Sequence, residues 1–228
     1  MIPGIYQLID SSLTHELRFD TISNNLANIG TTAFKKDVIS FSNALSMNNT
    51  TATDLTPGPI RYTGNDLDVA LDNRGFFKVQ TPKGIRYTRN GTFTLKTDYT
   101  LTDQNGNPVL GQNGLIRVNG KNVLIKPDGQ ILVDGRPEGT ILVVDFKHPR
   151  FLRKEGSTYF TYAGHSNDIY TVENPRIQQR YLEQSNVNMT EEMIKMVETL
   201  RAFESSEKAV QCIDEMMSKM VNDPALIQ

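Results

Sequence analysis

The sequence predicts a mixed, mainly β fold, with an antiparallel β middle domain inserted between N- and C-terminal α-helices that pair as a coiled coil. Three observations predict it. Apolar residues recur at helical spacing at both ends of the 228-residue chain. Six Asn-Gly or Asp-Gly pairs stand between residues 90 and 135, and such pairs supply the positive φ of tight hairpin turns. Short β-prone runs lie between those pairs.

The C-terminal helix is the clearest element. Ser185–Val221 contains no Gly and no Pro and is rich in good helix formers. Asn188 followed by Glu191 forms a capping signal. Met196, Leu200, Phe203, Ser206, Val210, Ile213, Met217 and Met220 recur at spacings of three and four, on one stripe. Glu191/Lys195, Glu204/Lys208 and Glu215/Lys219 are favourable i,i+4 pairs. At about 1.5 Å per residue such a helix is roughly 50 Å long, against about 30 Å for a small domain. It needs cover along its length. At the other end, Met1, Ile5, Leu8, Ser12, His15, Phe19, Ile22, Leu26 and Ile29 step in fours and threes. One reading has both helices covering a core. The sharper one joins them as a coiled coil.

Between the helices the pattern changes twice. Asn24, Asn25, Asn28 and Gly30 end the first helix, because Asn tolerates the left-handed conformation and Gly costs nothing there. Phe34 is expected to dock on the helix stripe, with Lys35 and Lys36 in water. Residues 37–65 lose periodicity, and Met47–Thr53 is a polar run read as a loop. The β runs follow: Phe76–Gln80, Ile85–Arg89, Thr92–Lys96, Leu115–Val118, Val123–Lys126, Gln130–Val133 and Thr140–Phe146. The expected domains are 1–30 plus 183–228 (terminal coiled-coil inner domain), 31–65 (linker or hairpin contact region) and 66–182 (β-rich outer domain).

Composition narrows the function. The formal net charge is −2 and no basic cluster is present, which argues against a nucleic-acid partner. No apolar run reaches a membrane span, so no membrane insertion is expected. The first twenty residues lack a basic n-region and a continuous apolar core, unlike a cleaved secretory signal. The single cysteine, Cys212, forbids an intramolecular disulfide and is read as buried or half-buried filler in the helix. His15, His148 and His165 show no ligand spacing, and no G-x-S-x-G, P-loop or H-E-x-x-H motif is present. Asp103–Pro108 opens like a calcium loop but has Pro108 where Gly is required and Gly114 at the twelfth position, so a hairpin turn is the better reading. No catalytic residue, cofactor, metal or small-molecule substrate is expected, and the chain is read as no enzyme.

Three stretches carry a resemblance. Ser23-Asn24-Asn25-Leu26-Ala27-Asn28, running on to Phe34-Lys35-Lys36, resembles the N-terminal signature of bacterial flagellar rod and hook proteins. Ala33 stands where that signature commonly has Gly. Leu182-Glu183-Gln184-Ser185-Asn186-Val187-Asn188, with Arg201–Glu204 and Asp214–Met216, resembles the C-terminal signature. Leu67–Leu71, Gly75–Phe77 and Tyr87–Phe93 resemble the central one. Residues 121–170 show the β pattern with little that is family-specific.

The resemblance implies a structural subunit of the flagellar basal-body rod, a hollow shaft that transmits torque and lets export substrates pass. Its partners would be itself, other rod subunits and, during secretion, the flagellar type III export apparatus. The implied location is the periplasmic rod of the basal body, reached without a cleaved signal peptide. Thr56–Gly64 followed by Leu67–Leu71 resembles the proximal-rod member most, with the distal-rod subunit as runner-up. A soluble β-domain adaptor dimerising through a coiled coil is the competing class. The implied subunit and coiled-coil contacts are Ile5, Leu8, Phe19, Ile22, Leu26, Ile29, Met196, Leu200, Phe203, Val210, Ile213 and Met217. An aromatic residue followed four residues later by an apolar one is an export element in such proteins. Phe41 with Leu45 is the favoured pair, ahead of Phe34 with Val38.

Overall fold

The computed structural model describes residues 2–41 and 49–222. It is mainly β, with two long helices and antiparallel sheets, and it divides into two compact units. The helical unit draws on Met1–Ala27, Asp37–Ala52 and Asn188–Gln228, and the β unit on Asn28–Lys36 and Thr53–Val187. The chain therefore crosses between units at residues 27/28, 36/37, 52/53 and 187/188.

In the helical unit, α1 spans Ile2–Ala27 and α2 spans Met189–Asn222. Asn188 caps α2 as its sequence predicts. Its Oδ1 accepts the backbone N–H of Thr190 at 3.1 Å and of Glu191 at 3.3 Å. Glu191 and Glu192 complement the positive end of the helix dipole, and Lys195 reaches both, at 2.6 and 3.0 Å. The helices lie in contact, and the residues they bury are Thr21, Ile22 and Asn25 on α1 and Glu192 and Thr199 on α2. This sheltered face is small and polar. The large apolar residues of α2 stand mostly outside it.

The β unit is built on a six-stranded antiparallel sheet. Its strands run in the order Leu152–Glu155, Tyr159–Tyr162, Gly84–Thr88, Phe76–Thr81, Val143–Phe146 and Ile169–Thr171. Successive side chains of a strand point to opposite faces, so Phe76 and Phe77 enter different cores. Phe77, Val79 and Val143 join Val69, Leu71, Phe93, Leu101, Ile131, Ile141 and others in the larger cluster. Phe76 and Val144 join Tyr87, Phe146 and Phe160 in an aromatic one, where edge-on ring pairs stand 4.9–5.6 Å apart.

Four of the six predicted turns are local reversals with positive-φ glycine: Gly106, Gly114, Gly129 and Gly135. Asp134-Gly135 has φ of 49° and 84° and joins Gln130–Val133 to Arg136–Thr140, the signature of a two-residue type I′ hairpin. Asn90-Gly91 and Asn119-Gly120 are not hairpins. Gly91 instead lets the backbone pass Val69, whose carbonyl oxygen would lie 1.8 Å from an added Cβ. The predicted run Thr140–Phe146 is also split, with Arg136–Thr140 and Val143–Phe146 in different sheets.

Both apolar clusters fall within residues 53–187. A chain of those residues is therefore expected to melt in one cooperative transition, followed by near-ultraviolet circular dichroism. A chain of residues 66–180 lacks Leu55, which packs on the aromatic cluster, and the buried Leu182 and Glu183. It is expected to melt lower by several degrees, at about 2–8 °C per kcal/mol lost.

Candidate functional site

Three charged side chains meet inside the β unit. Lys35 and Glu183 have no exposed side-chain surface, and Arg89 is almost as deeply buried. Charges in such a place must be paired and hydrogen-bonded. Lys35 Nζ donates to Glu183 Oε1 at 2.5 Å and to the Thr56 carbonyl at 2.7 Å. Arg89 Nε donates to Glu183 Oε2 at 2.8 Å. The Arg89 guanidinium also reaches the carbonyls of Asn73, Gly75 and Leu71 at 2.7, 2.8 and 3.1 Å. Gly58 N–H completes the Glu183 shell at 2.9 Å. Burial pushes the Lys35 ammonium below its usual value, and the Arg89 charge adds to that, while Glu183 opposes both. Removing one partner of such a buried pair costs on the order of 3–5 kcal/mol.

This overturns the expectation that Lys35 lies in water. Beside it, Phe34 is buried with the Lys154 ammonium 3.6 Å from its ring centroid, a cation–π contact. The segment that carries it belongs to the β unit. Lys36 is partly exposed and 3.8 Å from Asp54. Burial raises the Asp54 carboxyl, but hydrogen bonds from Thr56 and the charges of Lys36 and Lys35 outweigh it and hold Asp54 below its ordinary value.

Two asparagines tie the chain on either side of the crossings. In the β unit, Asn186 Oδ1 accepts the Lys36 N–H at 2.7 Å, and its Nδ2 reaches the carbonyls of Asp54 and Thr56 at 2.9 and 3.2 Å. In the helical unit, the buried Asn25 exchanges two 2.9 Å bonds with the backbone of Asp37 and donates to Glu192 Oε2 at 3.1 Å. Each needs a donor and an acceptor on separate atoms of one short side chain, which the amide provides. Thr31 hydrogen-bonds Asn28 through both backbone and side chain, closing the turn after α1. Ser185 and Val187 are buried, with Val187 N–H bonded to Ser185 Oγ at 3.3 Å.

The predicted contact stripes are divided. Ile22 is buried, and Leu26, Ile29, Met196, Phe203, Ile213 and Met217 are half-buried. Phe19, Leu200 and Val210 are exposed, Leu200 at 43%. Met189, Met193, Val197 and Leu200 lie three or four residues apart and form one exposed apolar line on α2, with Ile194 beside it. Ile5 and Leu8 lie in α1 and Phe41 in the strand Asp37–Phe41, but their side chains, like all of Leu45, are outside the described residues. Cys212 is exposed, not buried or half-buried. A cleft of about 470 Å³ lies between the helices, lined by Arg18, Asn25, Asp37, Glu192, Lys195 and Ala202 among others. Among the described residues no cluster of His, Cys, Asp or Glu has the makings of a metal site, and no helix is long and apolar enough to cross a membrane.

Sequence reasoning did not assign the ionic junction, although each charge lies inside a stretch quoted for the resemblance. The usable signal was a charged residue within an otherwise apolar or β-prone signature: Lys35 after Phe34, Arg89 after Tyr87-Thr88, and Glu183 after Leu182.

Comparison with known proteins reaches the same stretches. Residues 178–223 match the family model "Flagellar basal body rod FlgEFG protein C-terminal", and residues 70–133 match "Flagellar hook protein FlgE/F/G D1 domain". The chain is 27% identical to the flagellar basal-body rod protein FlgG of Bacillus subtilis, over 97% of this chain and 99% of the relative. It is 29% identical to the flagellar basal-body rod protein FlgF of Caulobacter vibrioides, over 96% of each. It is 27% identical to the flagellar hook-basal body complex protein FlhO of Bacillus subtilis, over 98% of each.

Ala33 accounts for one departure from the signature. Its φ is 57°, its side chain is buried, and its N–H donates to the Glu183 carbonyl at 2.8 Å. The left-handed region costs an L-residue roughly 1–2 kcal/mol that Gly does not incur, partly offset by the greater freedom of Gly in the unfolded chain. Ala33→Gly is therefore expected to stabilise the chain by about 0.5–1 kcal/mol in urea denaturation, with an unchanged m-value.

Proposed function

The chain belongs to the flagellar basal-body rod protein family, and from that premise we propose how it serves as a structural rod subunit. Its work is mechanical. Polymerised subunits form a hollow shaft that carries torque and leaves a passage for exported proteins. The terminal helices pair as a coiled coil in the assembled shaft. The resemblance of Thr56–Gly64 and Leu67–Leu71 supports the proximal rod, with the distal rod as runner-up.

The observation that carries this reading is the uncovered apolar line of α2. Met189, Met193, Val197 and Leu200 are each 43–51% exposed on the chain alone. Contiguous exposed apolar surface on a long helix marks an interaction site. Neighbouring rod subunits supply the cover, and the interface draws on α1 and α2 together. Leu200→Asp is expected to leave the melting of the isolated chain within about 0.5 kcal/mol of wild type, as for other surface substitutions. It is expected to abolish rod assembly, scored by electron microscopy of basal bodies. Normal rods from this variant would remove α2 from the interface.

Delivery uses the flagellar type III export apparatus, with Phe41 and Leu45 as the recognition pair. Phe34, the other candidate aromatic, is engaged under Lys154 in the folded β unit. Phe41→Ala is expected to accumulate in the cytoplasm several-fold over wild type while its purified chain melts normally. Export at the wild-type rate, with failure only at assembly, would assign Phe41 to packing instead.

A further inference from the structure

The segment Asn28–Lys36 belongs to the β unit, yet it reaches that unit from α1 and leaves it for the strand Asp37–Phe41. It joins none of the unit's sheets. Phe34 is 1% exposed, but neither apolar cluster of the unit includes it. Its ring is covered instead by the Lys154 ammonium.

Alongside the burial of Ala33 and Phe34, a set of specific polar bonds holds the segment. Ala33 N–H donates to the Glu183 carbonyl at 2.8 Å. Asn186 N–H donates to the Phe34 carbonyl at 3.3 Å, and Lys36 N–H to Asn186 Oδ1 at 2.7 Å. Lys154 Nζ donates to the Lys35 carbonyl at 2.7 Å. The Lys35 side chain ends on Glu183 and Thr56. Both main-chain polarity and two successive side chains are read, which is how a protein binds a peptide.

The receiving groups do not depend on the segment for their own order. Glu183 keeps Arg89 and Gly58 as partners, and Arg89 keeps three backbone carbonyls. Glu183 lies in the strand Tyr181–Glu183, paired with Ile60–Tyr62, and Lys154 in the strand Leu152–Glu155.

We propose that the β unit contains a peptide-binding site whose ligand is the chain's own Ala33-Phe34-Lys35 segment, and that this ligand leaves while the β unit stays folded. The ligand class is a short peptide with a left-handed residue, then an aromatic side chain, then a lysine. Gly suits the first position better than Ala. Docking fixes the residues that follow α1. The proposal stands on contacts within the β unit and does not require the assembly described above.

Two measurements on the full-length chain test it. Native-state hydrogen exchange compares the amides of Ala33, Lys36 and Asn186 with those of the strand Phe76–Thr81. Local release makes the first set exchange at least tenfold faster under conditions where exchange follows opening equilibria. Exchange of both sets in one common global opening overturns the proposal. The second measurement uses the double variant Phe34→Ala/Lys35→Ala with a synthetic peptide of residues 28–38. The variant is expected to retain a cooperative, lowered melting transition, and the peptide is expected to raise it in a saturable way. The same peptide with Lys35→Ala is expected to be inactive. A variant that fails to fold overturns the proposal, because a receptor must stand without its ligand. So does a folded variant on which the wild-type peptide has no effect.

Discussion

The burial of Glu183 with Arg89, joined by Lys35 where the segment after α1 is seated, is the constraint on which the β unit depends. Two cations and one anion are taken out of water, and the balance is made up by carbonyl dipoles of Thr56, Asn73, Gly75 and Leu71. Taking charges out of water is expensive, so each of these backbone groups must stay where it is. The junction thereby fixes the ends of several segments at once: the stretch after α1, the stretch after the strand Asn49–Thr53, and the approach to α2. Asn186 and Asn25 repeat the device on a smaller scale with neutral amides. The three stretches that resemble the family's signatures each supply one charge.

The helical unit follows a different logic. Among the described residues its sheltered surface holds Thr21, Ile22, Asn25, Thr199 and Glu192, while Met193, Val197 and Leu200 face out. Such an arrangement is unfavourable for a lone chain and sensible for a subunit. On the proposed role, that exposed apolar area would leave water only when a neighbouring subunit covers it. A structural role for the family is consistent with the chemistry present: polar groups are spent on joining segments.

Much of the fold was legible in the sequence. The helix cap at Asn188, the hairpins at Asp128-Gly129 and Asp134-Gly135, and the strand Gln130–Val133 follow from local rules and stand where those rules put them. What local rules missed is what distant partners decide. Asn90-Gly91 has turn chemistry, but its glycine is needed for the approach of Val69. Lys35 reads as a solvated cation until Glu183 is beside it. The stripe on α2 was visible as a period, but the α2 residues that are buried are Glu192 and Thr199, which do not belong to it. Ala33 looked like a mild departure from a motif, and the left-handed backbone that makes Gly the natural choice there appears only in three dimensions.

The ion pair between Lys35 and Glu183 joins residues 148 positions apart. On a growing chain Lys35 has no counter-ion until residue 183 has been made, by which point the segment for α2 is next to emerge. Closing so long a loop is entropically slow to reward, even though each doubling of loop length adds only about 0.6 kcal/mol. Folds dominated by such distant pairings form late and slowly. The junction therefore acts as a clock as well as a clamp: Lys35 cannot reach its buried partner until the chain has been made as far as Glu183.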